Sequence, residues 1–302
     1  MISYIGGKNT ISKWIRNYIP SDIETYVEPF GGMFWVLFNM DLDKYTNLKK
    51  IVYNDFNPLN VNLFRCVSED HKRLLDECEK IPVQKKGIIP TPDICKEFFN
   101  SSQNEIYSNE FSIGDYPNYE AAAKYALVLT NVFSGANPEK GKFIDLKGKY
   151  HSKFTSFINK LKKPNWQKLF DSITVVENLD FQEVLEKYDS ESTYFYVDPP
   201  YYIVGEGSYY SNHDFTREDH ERLANSLKGI GGKFSLSYYH FDQLEGWFVR
   251  GDYRWEQKDF HKSAMAKAGK AQTKGTEILI MNYGITKPDL ESTESEEETF
   301  EI

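Results

Sequence analysis

ETYVEPFGG, residues 24–32, is the stretch from which the fold of this chain can be read. Tyr, Val and Phe in so short a run suit a strand that is half-buried or buried. Gly31 and Gly32 end it in a turn that lets a ligand approach the backbone closely. The pattern then predicts a helix over 32–41, whose positive N-terminus would face the same space. An ordinary tight turn fits the two glycines as well. Context favours the first reading: KIVYN, residues 50–54, looks like the next strand, and Asp55 follows it, 23 residues after Gly32. A nucleotide-binding fold places there the acid that takes ribose hydroxyls. The competing reading of Asp55 is a turn acid ahead of the Asn57-Pro58 helix start.

Outward from this pair, short apolar runs alternate with helical patterns, which predicts an α/β architecture. Strands are expected over 24–30, 50–54, 173–177, 193–198, 233–238, 252–257 and 277–283. Helices are expected over 8–19, 32–41, 58–68, 70–80, 118–133, 180–187, 216–228 and 240–248. The clearest helix start is Thr216, a capping residue with Asp219 three positions on. Between the second and third strands the alternation stops. Residues 69–170 therefore read as an inserted, mainly helical domain, with 1–68 and 171–288 forming the sheet-bearing domain.

The composition excludes several classes. The 302 residues are 40% hydrophobic and 16% aromatic, ample for a core, and 27% charged. Mean hydropathy is −0.58, and no run approaches the ~20 apolar residues of a spanning helix. The N-terminus lacks a signal-peptide pattern. Cys66, Cys78 and Cys95 are odd in number and lack CxxC spacing, so neither a disulfide framework nor a zinc site is indicated. A reducing cytosol fits best. The net charge of −9 is misleading, because residues 289–302 hold seven acids and no base. That tail has little to bury and is expected to be disordered. Without it the chain carries −2, and residues 136–168 hold nine lysines against Glu139 and Asp145. A second basic cluster lies at 258–274. Basic patches on a near-neutral body suit a polyanionic partner, although solvated lysine faces would look the same.

The sharpest chemical signal is TYFYVDPPYY, residues 193–202. Two prolines after Asp198 remove two amide donors, leave their carbonyls free and stiffen the turn. The result is a carboxylate and a carbonyl side by side at a strand end, next to an aromatic ring. Such a set matches an exocyclic amine, with its two N–H donors, on a flat ring that can stack. YIGGK at 4–8 is weaker: Gly-Gly and a lysine entering a helix suit a small anion, but also an ordinary N-terminal turn. ENLDF at 177–181 ends a strand in an Asp-Phe pair, and Asp at a helix start is common.

Taken in order, these segments resemble the Dam-type family of DNA adenine N6-methyltransferases. YIGGK looks like the N-terminal cofactor segment, VEPFGG the cofactor glycine motif, YNDFN the ribose-binding segment and DPPY the catalytic motif. LTNVFSGANPEKGKF at 129–143 is similar to the segment that enters the DNA-recognition domain, and SNHDFTREDHERLANSL and KGTEILIMNY also look like family segments. The resemblance implies a Rossmann-like methyltransferase sheet with the insert serving target recognition. It implies S-adenosylmethionine as methyl donor, no metal, and the cytoplasm of a bacterial cell or of a virus-infected host. On that reading Tyr4, Gly6, Gly7, Lys8, Glu28, Pro29, Phe30, Gly31, Gly32, Asp55, Asp180, Phe181 and Asp198 line the cofactor site. Lys8 would meet the methionine carboxylate, Asp55 the ribose, and Asp180 and Phe181 the adenine. Asp198, Pro199, Pro200 and Tyr201 would form the catalytic site around an adenine flipped out of the duplex.

For DNA, Asn131, Lys140, Lys142, Lys147, Lys149 and Lys153 are expected to make contacts, with Lys262, Lys267 and Lys270 from the second cluster. The implied partner is double-stranded DNA, with room for a cognate restriction endonuclease and a monomeric or weakly dimeric chain. Met33, Phe34 and Trp35 depart from the family, which usually carries small residues there; they are expected either to shape the adenosine pocket or to crowd it. Three rivals remain: methylation of cytosine N4, a catalytically weak DNA-binding protein that senses the cofactor, and a methyltransferase for small-molecule or protein amines.

Overall fold

The structure, a computed structural model, describes residues 2, 8–88, 93–108, 114, 116–132, 137–201, 215–261 and 274–285. Among them seven strands form one sheet: β1 Thr25–Glu28, β2 Lys50–Asn54, β3 Val175–Glu177, β4 Thr193–Val197, β5 Lys233–Tyr238, β6 Arg254–His261 and β7 Lys274–Met281. Their order is β3-β2-β1-β4-β5-β7-β6. The first five run parallel, while β7 is antiparallel to both β5 and β6. All seven overlap the runs expected to form them, with the ends of β6 and β7 displaced by two to four residues. Strand order reverses at the β1–β4 pair, where Tyr26 faces Tyr194. Sheets of this kind bind ligands outside the carboxyl ends of their strands at such a reversal.

Helices cover both faces: α1 Ser12–Ile15, α2 Pro58–Glu79, α3 Asp93–Ile106, α4 Tyr119–Asn131, α5 Lys153–Leu161, α6 Pro164–Asp171, α7 Phe181–Tyr188, α8 Arg217–Gly229 and α9 Asp242–Trp247. Because side chains alternate along a strand, each strand feeds two cores. Tyr26, Tyr53, Tyr194, Tyr196, Leu279 and Met281 pack toward α2, α4, α5 and α6. Val27, Val52, Phe195, Val197, Phe234 and Ile280 pack toward α7, α8 and α9. Phe99, Tyr125, Phe154 and Phe157, from the segment expected as a separate insert, belong to the first of these cores. The helices of 69–170 therefore share their apolar centre with the sheet. Among the described residues no helix is long and apolar enough to cross a membrane.

Three local expectations are corrected. No α-helix follows Gly32; a single turn of 3-10 helix, Leu37–Asn39, stands there instead. Gly32 and Phe34 both take positive φ, 49° and 55°, which interrupts a right-handed helix. Tertiary packing outweighs that strain: Phe34 is fully buried, its ring set among Tyr26, Phe38, Tyr53 and Phe64. Met33 and Trp35 pack on the same core, so these three side chains serve the α2 side of the sheet. The N-terminal helix over 8–19 is broken into two 3-10 turns around α1. The two helices expected over 58–68 and 70–80 are one element, α2, kinked at Asp70 (φ −154°, ψ 81°). The Asp70 carboxylate accepts from the amides of Lys72 and Arg73 at 3.1 and 3.0 Å, capping the second half.

Candidate active site

At the carboxyl end of β1, Gly31 leaves no room for a side chain. A Cβ there would lie 2.4 Å from the Tyr53 ring and 2.8 Å from the Asn54 carbonyl oxygen. The turn is tied to the end of β2 from several directions. Gly31 N donates to Asn54 O at 2.7 Å, Tyr53 OH donates to Gly32 O at 2.9 Å, and Gly32 N donates to Asp55 Oδ2 at 2.8 Å. Asp55 also accepts from Asn57 N (2.7 Å) and from Asn60 Nδ2 (3.2 Å). Asp55 is thus a turn acid ahead of α2, and its second oxygen ties that turn to the glycine loop. Burial pushes its carboxyl above the ordinary range, against the bonds that favour the anion. Phe56, directly after it, is 56% exposed.

Asn54 was not singled out from sequence, yet it joins three loops. Its Nδ2 donates to Pro29 O (2.8 Å) and Leu179 O (3.1 Å), and its Oδ1 accepts from Leu179 N at 2.9 Å. Phe30 stacks on Phe181 with centroids 5.5 Å apart. Phe181 is itself buried, packed by Phe215 and by the Arg222 guanidinium 4.2 Å above its ring. Asp180 caps α7 through Gln182 N. Arg222 holds both of its oxygens, at 2.6 and 2.9 Å. The expected adenine partners therefore already have partners within the protein, and the side chain responsible, Arg222, lies on α8 where no local pattern pointed to it. Glu28 is buried, its Oε1 accepting from Tyr26 OH at 2.6 Å. Burial, aided by the Asp198 charge, drives its carboxyl well above the usual range despite that bond.

Asp198 leaves the end of β4 next to this turn, with its side chain 18% exposed. Pro199 is buried, and Pro200 and Tyr201 are half-buried. Lys8, only 6% exposed, reaches it from the first 3-10 turn. Its ammonium lies 2.7 Å from Asp198 Oδ1 and 3.2 Å from Glu277 Oε1, and also donates to the Tyr201 hydroxyl. Lys8, expected to meet a cofactor carboxylate, is held by two protein carboxylates in a buried site. Burial works to lower its pKa, but Asp198 and Glu277 outweigh it and hold the ammonium well above its ordinary value. Asp198 is pushed up to about 6, first by burial and then by Glu277, with Lys8 opposing both. The Tyr201 ring stacks on Tyr239 at 4.1 Å, and its hydroxyl donates to Glu277 at 3.2 Å.

Tyr4, Gly6, Gly7, Lys262, Lys267 and Lys270 lie outside the described residues. Of the expected DNA contacts, Lys140, Lys142, Lys147, Lys149 and Lys153 are exposed. Asn131 is corrected: it is buried, with its amide donating to Leu127 O (2.9 Å) and its Oδ1 accepting from Ser152 Oγ (3.1 Å), so it joins α4 to α5 and does not face a phosphate. The lysine run is not one surface either. Lys160 is set between Trp35 and Trp166, Lys162 pairs with Glu79 and Lys168 with Asp43.

Comparison with known proteins finds methyltransferases along most of the chain. The type II methyltransferase M.MjaIII of Methanocaldococcus jannaschii is 26% identical over 295 residues, covering 93% of this chain and 98% of its own. The type II methyltransferase M.CviBI of Paramecium bursaria Chlorella virus NC1A is 23% identical over 288 residues, 94% of this chain and 99% of its own. The modification methylase LlaI of Lactococcus lactis subsp. lactis is 26% identical over 250 residues, 78% of this chain and 36% of its own. Residues 4–263 match the family described as D12 class N6 adenine-specific DNA methyltransferase. With that match over most of its length, and with Asp198 beside the glycine turn at the strand reversal, the chain belongs to the D12 class of adenine N6 DNA methyltransferases.

Proposed function

We propose that Asp198, Pro199 and Tyr201 carry out the adenine N6 methylation of this family, and that the turn from Glu28 to Gly32 with Asp55 holds the methyl donor. The observation that carries this reading is the meeting of the β1 and β4 ends at the strand reversal. The residues there fit S-adenosylmethionine. A glycine turn without room for a Cβ allows close backbone approach, Asp55 offers acceptors for ribose hydroxyls, and the exposed Phe56 ring beside it offers a stacking face for adenine. When bound, S-adenosylmethionine supplies a methyl group on a positively charged sulfur.

The protein's own contribution is placement and electrostatics. An adenine inside a duplex is out of reach, so the target leaves the stack at a cost of a few kcal/mol. Asp198 and the Pro199 carbonyl accept its two N6 hydrogens. Those bonds draw the nitrogen lone pair out of conjugation with the ring and direct it toward the methyl. Tyr201 offers its ring to the base. Fixed orientation of this kind is worth effective molarities of ~10⁵ M or more. The exposed lysines from Lys140 to Lys153 supply phosphate contacts, and the names of the relatives support a modification enzyme paired with a restriction endonuclease.

The test is transfer of labelled methyl from S-adenosylmethionine to duplex DNA, followed by digestion to nucleosides. N6-methyladenine is the expected product. N4-methylcytosine, or no transfer to DNA at all, rejects the assignment.

A further inference from the structure

Glu277 lies on β7, a strand that does not end at the strand reversal, yet its carboxylate enters the same cluster as Asp198. It is fully buried. Lys8 Nζ lies 3.2 Å from its Oε1, Tyr201 OH donates to its two oxygens at 3.2 and 3.4 Å, and Ser237 Oγ from β5 donates to Oε1 as well. A buried carboxylate is costly to desolvate, and a buried ion pair is weak evidence for a stabilising role. What is specific here is the count. Two carboxylates, Asp198 and Glu277, share one ammonium, and of the three groups joined to Glu277 two belong to the Asp198 cluster: the lysine on Asp198 and the tyrosine of the DPPY motif.

We propose that Glu277 is a positioning residue for methyl transfer: it fixes the Tyr201 ring through its hydroxyl, and it gives the Lys8 ammonium a second carboxylate to rest on when the target amine takes Asp198. This rests on the assignment of Asp198 and Tyr201 made above. The incoming amine is a neutral donor and competes with a full positive charge 2.7 Å from Asp198 Oδ1. Charge-assisted hydrogen bonds are the stronger ones, so without an alternative partner Lys8 would hold Asp198 against the base. Glu277 supplies that alternative 3.2 Å away. The charged and titratable groups around the pair are Lys8 from the N-terminal turn, Glu28 from β1, Tyr196 from β4, Tyr201 after it, Tyr238 from β5 and Tyr239 directly after that strand.

The experiment is single-turnover methyl transfer to duplex DNA as a function of pH, with wild type, Glu277→Gln, Lys8→Gln and the double variant. Binding of cofactor and of DNA and the melting temperature are measured alongside. Glu277→Gln is expected to slow transfer by about tenfold or more while leaving both dissociation constants within about twofold, the pattern of an interaction used in the transition state. Removing the Glu277 charge also removes a group that raises Asp198, so the acid limb of the rate profile moves to lower pH. Because Glu277 acts through Lys8, the double variant is expected to be no slower than the slower single variant, a non-additivity that marks coupled residues. A wild-type rate with an unmoved acid limb in Glu277→Gln, or fully additive losses, overturns the proposal. Should Glu277→Gln fail to fold, Ser237→Ala keeps the charge and loses one anchor, and an unchanged rate there overturns it equally. A wild-type protein that methylates no DNA rejects the proposed function itself and this inference with it.

Discussion

Asp198 has to remain an anion in a place that resists charge, and Lys8 is the group that offsets the resistance. Burial and Glu277 raise its carboxyl to about 6, well above the ~3.9 of a free aspartate. The hydrogen-bond acceptor needed for catalysis is the ionised form. Methyl transfer should therefore be full above this value and fall away as pH drops through it, with an acid limb near 6. A single-turnover profile flat down to the range of a free carboxylate would contradict the environment described. Replacing Asp198 by Ala or Asn is expected to cost on the order of 10²–10³ in rate, as at other preorganised electrostatic sites. DNA binding should survive, since phosphate contacts dominate it. Tyr201→Phe keeps the stacking ring but loses the hydroxyl bonded to Glu277 and Lys8. Its rate should fall by about tenfold, matching a charge-assisted hydrogen bond of ~1.5 kcal/mol. A Phe variant as fast as wild type would reduce the role of Tyr201 to its ring alone.

The proposed cofactor half of the site joins three loops, and elements rather than single contacts hold them together. Asn54 at the end of β2 bonds the turn after β1 and the loop after β3, while Asp55 bonds Gly32. Asn54→Ala strips partners from three backbone groups, the buried Pro29 O and the half-buried O and N of Leu179, at up to ~1–3 kcal/mol for a buried group left without a partner. Calorimetry should show weaker S-adenosylmethionine binding together with a lower melting temperature. Asp55→Ala should weaken cofactor binding by ~1–3 kcal/mol, and unchanged affinity would remove Asp55 from the site. Gly31→Ala drives a Cβ to 2.4 Å from the Tyr53 ring, a clash that cannot be relieved without moving β2 or the turn. The 3-10 turn at Leu37–Asn39, where a helix was expected, belongs to the same scale. Phe34 leaves helical geometry because its ring packs edge-on against the stacked pair of Tyr53 and Phe64.

Across the whole molecule, acid response and DNA affinity are the properties to measure. His220 is buried with its Nδ1 2.6 Å from Tyr238 OH, and burial lowers its pKa to about 4. The folded state therefore binds fewer protons than the unfolded one between that value and the ~6.5 of a free histidine. Stability from this residue is complete above the unfolded value and is lost as pH falls toward the folded one. The loss is on the order of 3 kcal/mol over the full shift. His220→Gln should flatten the dependence of chemical-denaturation stability on pH in that window, and an identical slope in both proteins would count against it. For DNA, replacing Lys140, Lys142, Lys147 and Lys149 by alanine should reduce the salt slope of binding by up to ~0.9 for each phosphate no longer neutralised. Lys160, Lys162 and Lys168, held by aromatic rings or acids, should contribute far less to that slope. An unaltered slope in the quadruple variant would turn that stretch away from DNA.

Much of the molecule was legible in the order of its residues. Seven apolar runs became seven strands, because β-branched and aromatic residues in short runs have few other ways to be buried. Asp198 and the glycine turn could be found because their chemistry is local: a carboxylate before two prolines, and two glycines at a strand end. Sequence also carried a trace of Glu277, an acid on the same period-2 face of its strand as the buried Leu279 and Met281. What it did not carry was the partner of each buried charge. Lys8, Asp198 and Glu277 meet only because β4, β5 and β7 lie in sequence-distant order in one sheet, and Arg222 reaches Asp180 only because α8 packs beside α7. The interruption at Phe34 and the burial of Asn131 have the same cause. Local propensity proposes a conformation or a contact, and the requirement to fill one apolar core and to pair every buried polar group decides whether it stands.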